Sequence, residues 1–155
     1  MSLSEFSIIN KTKVKIPSLP FAILAEDILG KNYSLSIAFV DEKKSKEINT
    51  IYRAKNKSTN ILSFVLSKKE GELVLCPSLI KKESKDKNKN RGKNFREYLG
   101  FLVIHGMLHL KGMTHSSRMD RAEEKYDQKY FNRDRLGKHY HQGDSGRISK
   151  RRKKS

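Results

Sequence analysis

The stretch HGMLHLKGMTH, residues 105–115, gathers three of the chain's five histidines within eleven positions. His105 and His109 are four apart, so on a helix their rings project from one face a turn apart, the separation two ligands of one tetrahedral ion need. Gly112 can take a positive φ there, end the helix and fold the chain back, so that His115 reaches the same ion from the far side. Three imidazoles leave one coordination position open, the arrangement of a catalytic zinc rather than of a closed structural one. A histidine pair in a buried helix is equally compatible with core residues whose hydrogen bonds are satisfied. The glycine and the third histidine are what turn the pattern toward a metal.

The protease motif H-E-x-x-H-x-x-G-x-x-H has the same ligand spacing, but its second position is a glutamate that serves as general base. Here that position is Gly106. A peptidase mechanism loses its proton acceptor, and the geometry is expected to serve another hydrolysis. Charge suggests which one. The chain carries 34 Lys and Arg against 17 Asp and Glu, a net charge of +17 that draws polyanions such as nucleic acid or an acidic membrane surface. Phosphodiester cleavage is the natural candidate.

The elements that must hold this motif can be read from pattern. EFSIIN at 5–10 predicts a strand, and residues 16–30 a helix with Ser18 as its cap and Gly30 as its stop. NYSLSIAFV at 32–40 alternates with a period of two and predicts a second strand. Residues 43–53 space Ile48, Ile51 and Tyr52 helically, so this helix delivers Arg53 to the loop AKNKSTN. Residues 61–66 and 72–77 predict two further strands, with Gly71 in a tight hairpin between them. The run 81–96, with eight basic and two acidic residues and almost nothing to bury, is expected to be a solvated helix end or a mobile loop. Residues 97–111 predict a largely buried helix whose last turn carries the motif. A final helix over 116–136 opens on a serine cap and places Met119, Ala122, Tyr126 and Tyr130 near one face. From 138 the tail has seven basic residues against Asp144 and no core pattern, which predicts disorder. Four strands and several helices make an α+β architecture. The expected division is a catalytic domain over 1–137 and a basic tail over 138–155. The lone Cys76 rules out an internal disulfide and fits a reducing cytoplasm, and neither a signal peptide nor an apolar run of membrane-spanning length is present, so a soluble cytoplasmic protein is expected.

Three blocks in order, INTIYRAKNKSTNILSF at 48–64, GELVLCP at 71–77 and HGMLHLKGMTH at 105–115, resemble the YbeY-type endoribonucleases, which are ribosomal RNA maturation factors. The resemblance covers roughly residues 5 to 135. It implies a small mixed four-stranded sheet packed with helices, with the metal-binding helix central. It implies one Zn2+ per chain on His105, His109 and His115, and a functionally important arginine at Arg53. The activity implied is a zinc-dependent, single-strand-specific endoribonuclease acting in ribosomal RNA maturation, at the 3′ end of the small-subunit RNA and in ribosome quality control. Single-stranded RNA, ribosomal RNA and the small ribosomal subunit are then the partners. The alternative is a ribosome-associated, RNA-binding assembly factor whose zinc is structural. The family usually carries proline where Ser58 and Val65 stand and aspartate where Glu72 stands.

In the implied chemistry, Arg53 would clamp phosphate oxygens and stabilise the charge of the transition state. The general base stays open among water activated by the ion, a carboxylate such as Glu72, and attack by the RNA's own 2′-hydroxyl. Both basic runs would bind RNA through phosphates. Tyr126, Tyr130, Phe131 and Tyr140 are candidates for stacking on bases, although aromatics at helical spacing are more often core. His139 and His141 form a solvated pair, and Cys76 is kept outside the site.

Overall fold

The computed structural model describes residues 4–131. Along them run β1 (Phe6–Asn10), α1 (Phe21–Leu29), β2 (Ser34–Phe39), α2 (Glu42–Arg53), β3 (Ile61–Ser67), β4 (Glu70–Leu75), α3 (Pro77–Ser84), α4 (Phe95–Leu110) and α5 (Ser117–Tyr130). The strands form one sheet in the order β1-β2-β4-β3. β1, β2 and β4 are parallel and β3 returns antiparallel to β4, so the sheet is mixed. The α+β architecture with a four-stranded mixed sheet is the one expected.

Alternation within the strands decides which face is covered. Leu35, Ile37 and Phe39 of β2 and Leu73 and Leu75 of β4 point into the main core, where α1 and α4 lie. The opposite face carries a smaller cluster of Val40, Leu62 and Val74, with Ile48 of α2 and Phe64 packed against it. α4 is apolar nearly all round, with Leu99, Val103, Ile104 and Met107 fully enclosed, because the sheet, α1, α3 and α5 pack around it. Asn94 and Glu97 close its start as a capping box, each side chain accepting from the other's backbone N–H.

Several sequence expectations need correction. Pro20, not Ser18, stands at the cap of α1, and no side chain bonds there. The hairpin turns at Lys68 and Lys69; Gly71 sits inside β4, buried, because a Cβ there would run into the Tyr33 hydroxyl and the Leu110 methyls. The sequence pattern does not predict α3: Pro77, which reads as a strand end, is its first residue, where the missing N–H costs nothing. Nor is the segment before α4 without anything to bury. Lys93 is 8% exposed and its Nζ lies 2.6 Å from Asp127 Oδ2 of α5. On α2 the inward residues are Ser45 and Asn49, while Ile51 and Tyr52 face solvent. The tail 138–155, with His139, Tyr140 and His141, lies outside the described residues, as does the expected end of the last helix.

Candidate metal centre

The geometry begins with how α4 ends. Met113 N–H donates to Leu108 O at 3.0 Å and Gly112 N–H to His109 O at 2.9 Å, the paired bonds of a Schellman motif. Gly112 has φ 103°, a left-handed value that a side chain would resist. The chain therefore reverses within two residues. Ser116 then caps α5 by accepting from Met119 N–H at 3.2 Å. Between these two fixed points stands His115.

The three imidazoles converge. Ring centroids are 4.5 Å apart for His105 and His109, 4.9 Å for His109 and His115, and 5.3 Å for His105 and His115. One nitrogen from each lies within 4.8 Å of the other two. His105 and His109 are half-buried and His115 is exposed, so the cluster opens to solvent on one side.

Their hydrogen bonds fix which nitrogens face inward. His105 Nδ1 is bonded to Glu123 Oε2, a carboxylate on α5 that is 5% exposed. His109 Nδ1 donates to Met113 O at 3.0 Å, the carbonyl the Schellman turn brings back. With both Nδ1 atoms engaged as donors, each ring turns an Nε2 lone pair inward, and these two lie 3.0 Å apart. Two lone pairs facing each other repel, and a cation between them relieves the repulsion. Four ligands at zinc distances of 2.0–2.1 Å would stand roughly 3.3–3.4 Å apart, close to the 3.0 Å between these two nitrogens. Burial and the neighbouring imidazoles also hold His109 below its ordinary pKa, which keeps it neutral and able to coordinate. The donor set suits zinc, as it does other imidazole-loving transition metals.

Glu123 is the functional residue that sequence reasoning missed. It lies eight residues past the motif within a polar helix, and only the inward face of α5 distinguishes it from its neighbour Glu124. Glu72, considered above as a general base, is on the wrong side. Leu73 packs against Gly106 of α4, so Glu72 points to the opposite sheet face, where it accepts from Ser36 Oγ at 3.3 Å. Gly106 itself faces the sheet: a Cβ there would approach Ile61 Cδ1 at 2.7 Å and Leu73 Cδ2 at 2.8 Å. The position that holds a glutamate in proteases has no room for one here.

Arg53 ends α2, exposed, and no carboxylate among the described residues pairs with it. Ala54 follows in the left-handed region at φ 55°. The next residues are pinned to α2: Asn49 Nδ2 donates to Lys57 O at 2.9 Å, and Ser45 Oγ both donates to Thr59 O at 2.8 Å and accepts from Thr59 N–H at 2.9 Å. The polar inward face of α2 thus serves to hold this loop. Cys76 is fully buried outside the cluster, its thiol pKa raised chiefly by burial, as an inert thiol should be. Tyr126 and Phe131 are core residues, and Tyr130 donates its hydroxyl to Asp27 at 2.5 Å, so none of them is presented for stacking. No helix among the described residues is long and apolar enough to cross a membrane.

Comparison with known proteins agrees with this geometry. The family model described as endoribonuclease YbeY matches residues 8–133. An endoribonuclease YbeY of Lactobacillus helveticus is 36% identical over 67% of this chain and 68% of its own length. One of Bdellovibrio bacteriovorus is 37% identical over 59% of this chain and 60% of its own. Among solved structures, the solution structure of TM1509 from Thermotoga maritima shares the fold, with a TM-score of 0.59 and 24% identity over 85% of this chain and 93% of that one. With most of its length matched and its three histidines converging as their spacing requires, the chain belongs to the endoribonuclease YbeY family.

Proposed function

We propose that the protein is a zinc-dependent endoribonuclease that cuts single-stranded RNA, with ribosomal RNA at the 3′ end of the small subunit as its substrate in the cytoplasm. Family membership supports RNA as the substrate class, and a net charge of +17 suits a polyanion. The observation that carries the metal is the inward pair of Nε2 atoms, 3.0 Å apart, with both Nδ1 atoms already engaged.

His105, His109 and His115 would hold the ion. Bound zinc supplies Lewis acidity toward a phosphoryl oxygen and lowers the pKa of water to about 7. The remaining work falls to the chain. Glu123 and the Met113 carbonyl fix the tautomers and ring orientations of His105 and His109. Arg53, unpaired with any described carboxylate, is available to clamp two phosphate oxygens and to stabilise the charge that builds up in the transition state. Neither Glu72, on the far sheet face, nor Glu123, engaged by His105, is placed as a free base. The proton released by the nucleophile, whether water or the RNA's own 2′-hydroxyl, therefore passes to a group other than these two carboxylates.

The second reading is an assembly factor with a structural zinc. The exposure of His115 favours the enzyme, because a three-nitrogen set open to solvent leaves a fourth position accessible. The test is elemental analysis of purified protein beside cleavage of a labelled single-stranded RNA by wild type and His109→Ala. The hydrolase predicts about one metal per chain in wild type, and loss of metal and cleavage together in the variant. Stoichiometric metal with tight RNA binding and no cleavage would establish the assembly factor instead.

A further inference from the structure

Apolar surface left uncovered by the fold gathers at the end of α2 and along the edge strand of the sheet. Ile51, Tyr52, Val65 and Leu66 are 73%, 67%, 64% and 57% exposed. They belong to the end of α2 and the outer strand β3; the Tyr52 ring meets Phe64 edge-on with centroids 5.2 Å apart on the sheet face away from α4, while Val65, the next residue of β3, points to the other face. The link of this surface to the site is Arg53, the residue after Tyr52 at the end of α2; of the two faces of β3, it is the one Val65 shares that meets α4. Ser63, two residues before Val65 on the same face of β3, donates to the Gly106 carbonyl, between His105 and His109, at 3.3 Å.

Its charge is predominantly positive. Between Ile48 and Lys69 the chain has five cations, Arg53, Lys55, Lys57, Lys68 and Lys69, and no acidic residue. Three carboxylates border this stretch: Glu47, one turn before Ile51 on α2, Glu70, paired across the strands with Ser67, and Glu72, in register with Phe64 and bonded to Ser36. Lys55 and Lys57 sit on the loop that Ser45 and Asn49 hold in place, so these charges are presented by ordered backbone.

We propose that this corner is a subsite for single-stranded nucleic acid, with Tyr52 the platform on which one base stacks. The proposal rests on the ribonuclease reading and deepens it. Ile51 beside Tyr52 extends the apolar floor, and Arg53 with Lys55 and Lys57 of the following loop takes phosphates of the strand. An exposed aromatic face among cations is what unpaired bases bind, whereas a duplex keeps its base faces stacked inside. A protein partner fits less well, since lysine is depleted from the centres of protein interfaces.

The chain contains no tryptophan, so Tyr52→Trp installs a single fluorescent reporter in the platform. Its emission is expected to be quenched on titration with a short oligouridylate and to stay unchanged with duplex RNA of the same length. By fluorescence anisotropy of a labelled oligouridylate, Tyr52→Ala should weaken affinity by roughly 5- to 150-fold and Tyr52→Phe should retain it, with circular dichroism confirming that each variant folds. Should the oligonucleotide bind while the indole emission and the Tyr52→Ala affinity do not change, the subsite is wrong and the ribonuclease reading stands. An emission that follows protein concentration and ignores RNA would make the corner a self-association surface, which also overturns the proposal. If wild type binds no RNA at all, the ribonuclease reading falls and the subsite falls with it.

Discussion

His105 and His109 show how one residue outside a motif completes it. Four-residue spacing brings the two rings together, but spacing does not choose the tautomer, and an imidazole presenting N–H instead of a lone pair cannot bind metal. Glu123 makes that choice for His105 from another helix. Removing a carboxylate that orients a metal-bound histidine typically costs 10- to 100-fold in metal affinity. Glu123→Gln keeps the size and loses the charge, and competition against a chelator should show a loss in about that range. Unchanged affinity would mean that the carboxylate's charge is not needed to orient the ring, since the glutamine amide oxygen can still accept from Nδ1. Arg53 calls for a different measurement. If it acts mainly at the transition state, Arg53→Ala should lower the turnover of RNA cleavage far more than RNA affinity, and equal losses in both would assign it to binding instead.

At the scale of elements, α4 matters through how closely it lies on the sheet. Gly106 lets the helix backbone approach β3 and β4, with Ser63 donating to its carbonyl. Gly106→Ala would push a methyl to 2.7 Å from Ile61 Cδ1 and 2.8 Å from Leu73 Cδ2, so the ends of both side chains must shift, Leu73 within a fully buried core. Overpacking of this kind costs about 1–3 kcal/mol, so urea unfolding of the metal-free protein should show a loss of that order, and an unchanged midpoint would show that the sheet yields. This packing could not be read from the sequence. Gly106 there marks only an absent glutamate, because the pairing of helix to strand is a long-range fact. Gly71 teaches the same lesson in reverse: a glycine between two strand patterns suggests a turn, yet here it makes room for Tyr33 and Leu110. α3 is not legible because Pro77 suits a strand end as well as a helix start.

For the molecule as a whole, the dominant quantity is charge. The segment 138–155 contributes seven basic residues and one acidic, and each phosphate neutralised by such groups releases counterions on binding. Deleting 138–155 should weaken RNA binding and flatten the dependence of log affinity on log salt, by about 0.7 for each phosphate of a single strand that the tail would otherwise neutralise. A slope equal to that of the full chain would remove the tail from RNA binding. The basic run before α4 is not equivalent to it, since Lys93 is engaged inside the fold by Asp127 and Arg91 lies over the Phe101 ring, 4.8 Å from its centroid.

By itself the sequence determined the elements other than α3, and the ligand spacing, since both are local. A period of two or of 3.6, a serine or glycine at a helix end, and two histidines four apart all constrain neighbours a few bonds away. Three imidazoles meeting beyond the turn at Gly112 followed from the same local rules. The tertiary structure alone decided which carboxylate serves the site. Glu72 and Glu123 are both plausible on paper, and the sheet turns the first away while α5 brings the second in. The buried faces of α2 and of the segment before α4 were decided in the same way, by partners distant in sequence, because a side chain's surroundings are set by whatever packs against it.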